Sequence, residues 1–165
     1  MSTPEKLDAI DRRILSLIQE DSRMTMAQIA RTIGKISKVA VSYRLKKLEA
    51  RGIIEKYYAK LNPEKMNRGY LVISRVACSV KGKKELAVSR RISKLPGVQS
   101  VYGIFGDYDL LLIARTMNKE EAKNLLDKVN EIPGVTSSNT IVAHTVVKES
   151  LSVDLLESGG LNFTP

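Results

Sequence analysis

The chain has 165 residues, of which 43% are hydrophobic and 27% charged, a composition typical of one or two small globular domains. A net charge of +9 and a pI near 9.7 indicate a polyanionic partner, nucleic acid before an anionic membrane surface. A single cysteine excludes an internal disulfide framework, and no apolar run is long enough to span a bilayer. The polar first residues do not resemble a signal peptide, so we expect a cytoplasmic protein with no membrane partner.

Apolar residues at helical spacing predict a first helix over residues 6–20, after a frayed terminus of residues 1–5. The predicted apolar face consists of Leu7, Ile10, Ile14, Leu17 and Ile18. This helix is expected to cover the core of the motif that follows it.

A helix-turn-helix pattern occupies residues 25–52. Thr25 and Gln28 have the spacing of a capping box, which predicts a helix from Met26, and Gly34 can end that helix. Its predicted apolar face consists of Met26, Ile29, Ala30 and Ile33. Ser37 is the predicted N-cap of the second helix. That helix is predicted to bury Val41, Leu45 and Leu48 and to stop at Gly52.

Positive charge concentrates on this motif. Residues 31–60 hold nine Lys or Arg against two Glu, a net of +7 out of the chain's +9. Because an α-helix fits the DNA major groove, and cations on its open face neutralise phosphates, we predict that the second helix binds double-stranded DNA. The alternative is a solvated basic helix without a partner.

The predicted DNA-contacting side chains are those that point away from the predicted buried face. They are Lys38, Ser42, Tyr43, Arg44, Lys46 and Lys47. Arg44 and Lys47 are predicted to touch phosphate and the others bases or the groove, although some of these could touch only phosphate. Arg44 could instead tether the second helix to an acid of the first helix.

Beyond Gly52 the pattern changes from helical to extended. Residues 53–66 are rich in β-formers and are predicted to form a β linker. A β-α-β pattern then occurs twice, and the tetrapeptides Leu-Pro-Gly-Val at 95–98 and Ile-Pro-Gly-Val at 132–135 stand 37 residues apart at the same point of each repeat. The predicted strands are 70–80, 100–105, 110–116 and 136–147, and the predicted helices are 83–95 and 119–132.

Two such repeats predict a βαββαβ ferredoxin-like domain. The fold class is therefore α+β, with an N-terminal three-helix (winged) helix-turn-helix head, a β linker and a C-terminal ferredoxin-like domain. The predicted boundaries are 1–52 for the head, 53–66 for the linker, 67–152 for the second domain and 153–165 for a flexible tail. One sheet face needs cover, and we predict that alternating apolar residues bury it against a second copy. They are Leu71, Ile73, Leu110 and Leu112.

This order of elements resembles the Lrp/AsnC (feast/famine) family of transcriptional regulators. The matching stretches are LDAIDRRILSLIQEDSR at 7–23, RLKKLEARGII at 44–54 and GIFGDYDLLL at 103–112. The resemblance covers about residues 7–151. It implies a head that reads DNA and a second domain, called RAM, that forms homodimers or octamers and binds an amino acid. One departure is the turn, residues 34–37, which carries one residue more than the family's usual Gly-Leu-Ser.

The resemblance also implies an effector site. An amino acid needs a carboxylate for its ammonium group, which Asp107 and Asp109 could supply, and N–H or hydroxyl donors for its own carboxylate. The residues implied are Gly106, Asp107, Tyr108, Asp109, Thr136, Ser137, Ser138 and Thr140. By composition alone, residues 106–109 are a hairpin turn.

No enzyme motif occurs in the sequence: there is no phosphate loop, nucleophile elbow or HExxH. We therefore predict no catalytic residue, cofactor or metal, and expect His144 to be an ordinary strand histidine and Cys78 a small core residue. The predicted function is a sequence-specific transcriptional regulator whose assembly and DNA binding respond to an amino acid. The alternatives are a stand-alone amino-acid sensor that acts on a partner protein and a nucleoid-type architectural DNA binder.

Overall fold

A computed structural model of the chain describes residues 6–155, and the expectations for residues 1–5 and 156–165 fall outside that range. The chain divides into two compact units, one that runs to Lys60 and resumes at Ser150, and one that spans Leu61–Glu149. No helix within residues 6–155 has the length and apolar character needed to cross a membrane.

The first unit contains three helices, α1 (Ala9–Glu20), α2 (Met26–Ile33) and α3 (Lys38–Ala50). The predicted capping box is present, because the Gln28 N–H donates to Thr25 Oγ1 at 3.2 Å and the Thr25 N–H donates to Gln28 Oε1 at 2.8 Å. The Ala40 N–H donates to Ser37 Oγ at 3.1 Å and starts α3. Helix α1 begins later than predicted, since Asp8 caps it.

The three helices enclose a core drawn from all of them. Its buried members are Ile14, Leu17, Ile29, Ala30, Val41 and Leu45. Met26 was predicted to belong to this apolar face but is 39% exposed, because it occupies the first position of α2, where it lies beside the open face of α3. The longer turn is absorbed by the backbone: Gly34 and Lys35 both have positive φ, at 71° and 55°, while Ile36 packs against the core.

The predicted β linker is wrong as secondary structure, since residues 53–66 include no strand. A strand requires a hydrogen-bonded neighbour, and none of the four strands that the structure describes pairs with the segment. Tyr57 instead donates its hydroxyl to Glu49 Oε1 at 2.8 Å, against the end of α3. Burial, followed by this bond, raises the pKa of Tyr57 to about 12.

The second unit has the predicted βαββαβ order. Its elements are β1 (Tyr70–Cys78), α4 (Lys83–Ile92), β2 (Val98–Gly103), β3 (Leu110–Thr116), α5 (Lys119–Asn130) and β4 (Val135–Val142). The strands form one antiparallel sheet in the order β2-β3-β1-β4, so the ferredoxin-like fold and the α+β class are confirmed.

The repeated Pro-Gly-Val motif explains how each helix returns to the sheet. Gly97 and Gly134 have φ of 86° and 103°, which side-chain-bearing residues rarely adopt. A Cβ at Gly97 would stand 2.8 Å from the carbonyl oxygen of Arg115. Both positions therefore need glycine for the backbone to turn close to the neighbouring structure.

The helices cover one face of the sheet and leave the other open. Leu110 and Leu112 were predicted on the open face, but they are 1% and 0% exposed and pack under the helices. Leu111 and Ile113 take the open positions instead, since Ile113 pairs directly with Ile73. The open apolar row consists of Ile73, Tyr102, Leu111, Ile113 and Ile141.

Candidate nucleic-acid interface and effector site

Helix α3 is buried on one side and open on the other, as its sequence predicts. Val41, Leu45 and Leu48 are at most 4% exposed. On the opposite side, a shallow groove is lined by Met26, Lys38, Val39, Ser42, Tyr43 and Lys46. Four of the predicted DNA-contacting residues, Lys38, Ser42, Tyr43 and Lys46, therefore lie on one surface. The other two residues that line the groove, Met26 and Val39, were not predicted to contact DNA.

All of the predicted contact residues on α3 except Arg44 have their side chains available. Tyr43 is 68% exposed, and Lys38, Lys46 and Lys47 are exposed as well. None of these side chains, nor that of Ser42, hydrogen-bonds or ion-pairs with another described residue. The surface thus offers cations, a hydroxyl and an aromatic ring without first breaking contacts within the chain.

Val39 is the clearest functional candidate that the sequence analysis missed. It is 69% exposed at the second position of α3, beside Lys38 in the groove. A large apolar side chain left open on a recognition helix can contact a thymine methyl group. Its position between two predicted contact residues on one helix face was the available signal.

Arg44 makes the tethering contact that the sequence left open. Its Nη1 donates to Asp8 Oδ2 at 2.5 Å and to Asp11 Oδ1 at 2.7 Å, which joins α3 to the start of α1. Asp8 also accepts the Asp11 N–H at 2.7 Å, and this bond, followed by Arg44, lowers the pKa of Asp8. The phosphate role of Arg44 stays a prediction, while its structural role is established.

In the second unit, the loop of residues 104–109 contains four of the eight predicted effector residues, those at 106–109. Asp109 accepts the Cys78 N–H at 2.7 Å and pairs with Lys81 Nζ, so both of its oxygens already have partners. The Lys81 bond, followed by the Cys78 N–H, lowers the pKa of Asp109. Asp107 is exposed, and no hydrogen bond or ion pair joins its side chain to another described residue. Of the two predicted carboxylates, Asp107 is the one free to receive an ammonium group.

The predicted hydroxyl cluster does not form one surface. Ser138 pairs with Val76 and Thr140 with Ser74 on the helix-covered side, whereas Ser137 pairs with Ala77 on the other. Strand pleating separates these neighbours because successive side chains point to opposite faces. Thr140 Oγ1 also bonds Ser74 Oγ at 2.8 Å, and Thr136 Oγ1 donates to the Ala77 carbonyl at 3.1 Å.

The loop and the start of β4 nevertheless lie at the same end of the sheet. Val76 of β1 pairs with Leu110 on one side and with Ser138 on the other. Two strand spacings, about 10 Å, therefore separate the two predicted parts of the site. Gly106, at the tip, has φ of 129° and open space around it, so a ligand could approach its backbone.

Arg75 is a second residue that the sequence analysis missed. Its guanidinium carbon lies 4.8 Å from the centroid of the Tyr108 ring, and Nη2 donates to Asn139 Oδ1 at 2.8 Å. A guanidinium beside the predicted loop is a group that could pair with a ligand carboxylate, the role that the hydroxyls were expected to fill. An arginine within the apolar strand YLVISRVAC was the signal.

Cys78 and His144 are the remaining side chains that could carry chemistry. Cys78 is a core residue as predicted, and burial, followed by Asp109, raises the pKa of its thiol. His144 was predicted within a strand, but β4 ends at Val142, and the exposed His144 shares a hydrogen bond of 2.8 Å between its Nδ1 and Thr145 Oγ1. Between residues 6 and 155 there is no cluster of three metal-ligating side chains.

Comparison with known sequences matches both units. The winged helix-turn-helix DNA-binding family matches residues 7–55, and the Lrp/AsnC ligand binding domain matches residues 72–153. The HTH-type transcriptional regulator FL11 of Pyrococcus furiosus is 34% identical over 144 residues, which cover 87% of this chain and 93% of that protein.

Solved structures agree with the sequence matches. A transcriptional regulator from Neisseria meningitidis in complex with L-Met has a TM-score of 0.81 and 29% identity, over 90% of this chain and 96% of that one. An AsnC family transcriptional regulator from Agrobacterium tumefaciens has a TM-score of 0.83 and 25% identity, over 89% and 96%.

Proposed function

Because the chain belongs to the Lrp/AsnC family of transcriptional regulators, which are not enzymes, we propose that it is a sequence-specific regulator whose DNA binding responds to an amino acid. Residues 1–52 would carry DNA recognition, residues 53–66 would link, and residues 67–152 would bind the effector and assemble. The exposed face of α3 supports this proposal most, because it combines cations with uncommitted Ser42 and Tyr43 side chains. We propose a cytoplasmic location for it.

The division of labour on α3 follows from what each side chain can recognise. Lys38, Ser42, Tyr43 and Lys46 line one groove and would reach base edges, with Val39 adding an apolar contact. Lys47 would neutralise phosphate, which positions the protein without reading sequence. Arg44 would act mainly by holding α3 against α1.

Salt dependence tests the DNA-binding proposal. If a dimer neutralises roughly six to ten phosphates, log K should fall against log salt with a slope of about −0.9 per phosphate. A site selected from random DNA provides the specific probe, and a scrambled duplex of the same length is the control. A slope near zero would overturn the proposal, whereas equal affinity for both duplexes would favour the nucleoid-type architectural binder.

The effector proposal rests on open groups at one end of the sheet. Asp107 would pair with the ligand's ammonium group and Arg75 with its carboxylate, while Gly106 would allow close approach. The solved complex of the Neisseria meningitidis relative with L-Met makes an amino acid the natural first class to test. Tyr108, Ser137 and Ser138 remain candidate contacts, whereas Asp109, Thr136 and Thr140 would act through bonds within the chain.

Thermal-shift screening of the twenty amino acids, followed by calorimetry, tests this proposal. Asp107 is exposed in the single chain, so its pair with the ligand becomes buried only if a second copy covers the site. Removing one partner of such a buried pair should cost on the order of 2 to 5 kcal/mol, and Asp107→Ala should then weaken binding of the ligand found by more than about tenfold. Asp127→Ala, an exposed carboxylate on α5, is the control. Unaltered affinity in Asp107→Ala would move the site elsewhere. Ligand binding without any DNA binding would favour the stand-alone sensor.

The open sheet face supports homodimer formation. Ile73, Ile113 and Ile141 lie in one row across three strands, and Ile141 is 60% exposed. Two-fold pairing of such faces would bury this row and bring two heads to one DNA, with half-sites about one helical turn or a multiple of it apart. An octamer would combine four such dimers.

A further inference from the structure

Helix α4 carries a basic surface separate from the recognition helix. Residues 83–94 contain five Lys or Arg and one Glu, a net of +4. Along its outer side a shallow groove is lined by Lys83, Leu86, Ala87, Arg90, Arg91 and Lys94. The cations are exposed, and none of the five, Lys84 included, hydrogen-bonds or ion-pairs through its side chain with another described residue.

The internal repeat shows that the fold does not require this charge. The equivalent positions in the second repeat, 37 residues later, are 120–131 and carry two Lys against four acids, a net of −2. Both helices bury apolar residues at matching positions, Val88 with Leu125 and Ile92 with Val129. Four cations of the first repeat are replaced by acids in the second: Lys83, Lys84, Arg90 and Lys94 correspond to Glu120, Glu121, Asp127 and Glu131.

Helix electrostatics also fail to account for the charge. Cations near a helix C-terminus complement the macrodipole, which explains Arg90, Arg91 and Lys94. Lys83 and Lys84 occupy the first turn, where a positive charge is unfavourable. A cationic side that continues into the unfavourable end of the helix indicates selection for an anionic partner.

We propose that the outer face of α4 is a second, sequence-independent DNA-contact surface, which binds phosphates of duplex beyond the segment held by α3. The cations extend over about 16 Å at 1.5 Å per residue, a length over which B-DNA presents about nine phosphate charges. DNA held by the head is at high effective concentration for a further surface of the same chain, which favours DNA over an acidic protein. The inference rests on DNA binding by the head, which the short-duplex control below tests by itself.

A pair of matched triple variants of the full chain tests the surface. Lys83→Gln, Lys84→Gln and Lys94→Gln lower the net charge of residues 83–94 from +4 to +1. Lys119→Gln, Lys123→Gln and Lys128→Gln remove the same charge from exposed positions of α5. Each is measured on random-sequence duplexes of about two and about six helical turns. On the long duplex the α4 variant should lose about 0.9 from the salt slope per lost phosphate contact, or about 2 to 3 per protomer.

The controls make the outcomes separable. The α5 variant should match wild type on both duplexes, and both variants should match wild type on the short one. Equal salt slopes of the two variants on the long duplex would overturn the α4 proposal. If the wild-type protein did not bind the short duplex, DNA binding by the head would be overturned instead. If the triple lysine variant of α4 misfolds, the double variant Arg90→Gln, Arg91→Gln replaces it and should show the same kind of loss in the salt slope on the long duplex.

Leu86 distinguishes DNA from an acidic protein segment. It is 50% exposed within the groove and would anchor an apolar side chain of a protein partner. For a phosphate contact, Leu86→Ser should leave long-duplex affinity and salt slope unchanged. A loss of long-duplex affinity in Leu86→Ser as large as that in the lysine variant, with an unchanged slope, would contradict the proposal, because phosphate contacts do not depend on an apolar side chain.

Discussion

The open face of α3 and the loop of residues 104–109 were both predicted as binding sites, but the fold treats them differently. On α3, Ser42, Tyr43 and Lys46 have no side-chain bonds to other described residues. In the second unit, Asp109 is already bonded to Cys78 and Lys81, and Thr140 to Ser74. A single chain therefore has an unobstructed basic face on α3, the proposed DNA surface, whereas the proposed effector groups are partly used to hold the sheet together.

This difference indicates how ligand binding and DNA binding can be coupled. A site in which Asp107 is uncommitted, while Arg75 already bonds Asn139 and lies over Tyr108, gains further contacts if a second copy covers the open face. Effector affinity then depends on assembly, and by reciprocity assembly depends on the effector. The head needs no such completion, so its contacts should be insensitive to ligand except through the spacing of two heads.

Disrupting the open sheet face should have the largest effect. Burying an isoleucine contributes about 1.5–3 kcal/mol, and two-fold symmetry doubles the loss, so Ile141→Asp should weaken dimerisation on the order of 100-fold or more. Sedimentation measures assembly, and calorimetry should show ligand affinity falling with it. Met117→Asp, also exposed but in the turn after β3, is the control. Monomers that bind the ligand at full affinity would contradict the dependence of the site on a second copy.

Asp107 and Asp109 form a matched pair within one loop. Asp109→Ala removes the partner of the buried Cys78 N–H and should lower the free energy of unfolding by about 1–3 kcal/mol. Asp107→Ala should leave stability within about 0.5 kcal/mol, as surface substitutions do, and affect only the ligand. Urea unfolding with calorimetry on both variants separates the roles. If Asp109→Ala weakened ligand binding and Asp107→Ala lowered stability, Asp109 would be the side chain that binds the ligand's ammonium group.

Arg44 tests whether the head is held together by its own charges. Arg44→Gln leaves Asp11, whose side chain is 13% exposed, without its cation and should cost about 1–3 kcal/mol in the head. Asp8→Asn combined with Asp11→Asn should reproduce the loss, as measured by hydrogen exchange of amides in α1 and α3. If Arg44→Gln instead weakened DNA binding at unchanged stability, the phosphate role would be correct.

The smallest effect concerns acid pH. The pKa of Asp8 is lowered from its ordinary 3.8, first by the Asp11 N–H and then, against partial burial, by Arg44. The carboxylate's contribution is therefore present above pH 3.8 and is lost as pH falls through the lower folded value. Asp8→Asn keeps the N-cap and should cost about 0.5 kcal/mol at neutral pH, with the difference from wild type vanishing in acid. A constant difference across that range would rule out the charge as the cause.

The sequence predicted features that depend on neighbours along the chain. The caps at Thr25 and Ser37, the order of elements and the Pro-Gly-Val turns all follow from local spacing. Which residues of β3 face the helices could not be predicted in this way. The run Leu-Leu-Leu-Ile-Ala is apolar at every position, so its sequence does not distinguish the two faces of the strand. The bond from the Cys78 N–H to Asp109 joins residues 31 apart, one in β1 and one in the loop before β3, which spacing alone does not bring together.

Other errors were avoidable from the sequence. Consecutive Thr136, Ser137 and Ser138 on a predicted strand must alternate between faces, so a single hydroxyl surface was inconsistent with the predicted strand itself. The net charge of the whole chain does not show the basic side of α4, because acids at the equivalent positions of the other repeat offset it. A comparison of the two repeats position by position exposes it.

The most direct test of the proposed DNA surface compares three single variants of α3. Binding of Tyr43→Ala, Ser42→Ala and Lys47→Ala is measured against a panel of duplexes that differ by single base pairs from the selected site. Tyr43→Ala and Ser42→Ala should change the ranking of the duplexes, by about 1–3 kcal/mol at the positions they contact, because base contacts specify sequence. Lys47→Ala should weaken every duplex alike and reduce the salt slope by about 1. A uniform loss in all three variants, with the ranking intact, would contradict the claim that the open face of α3 reads sequence.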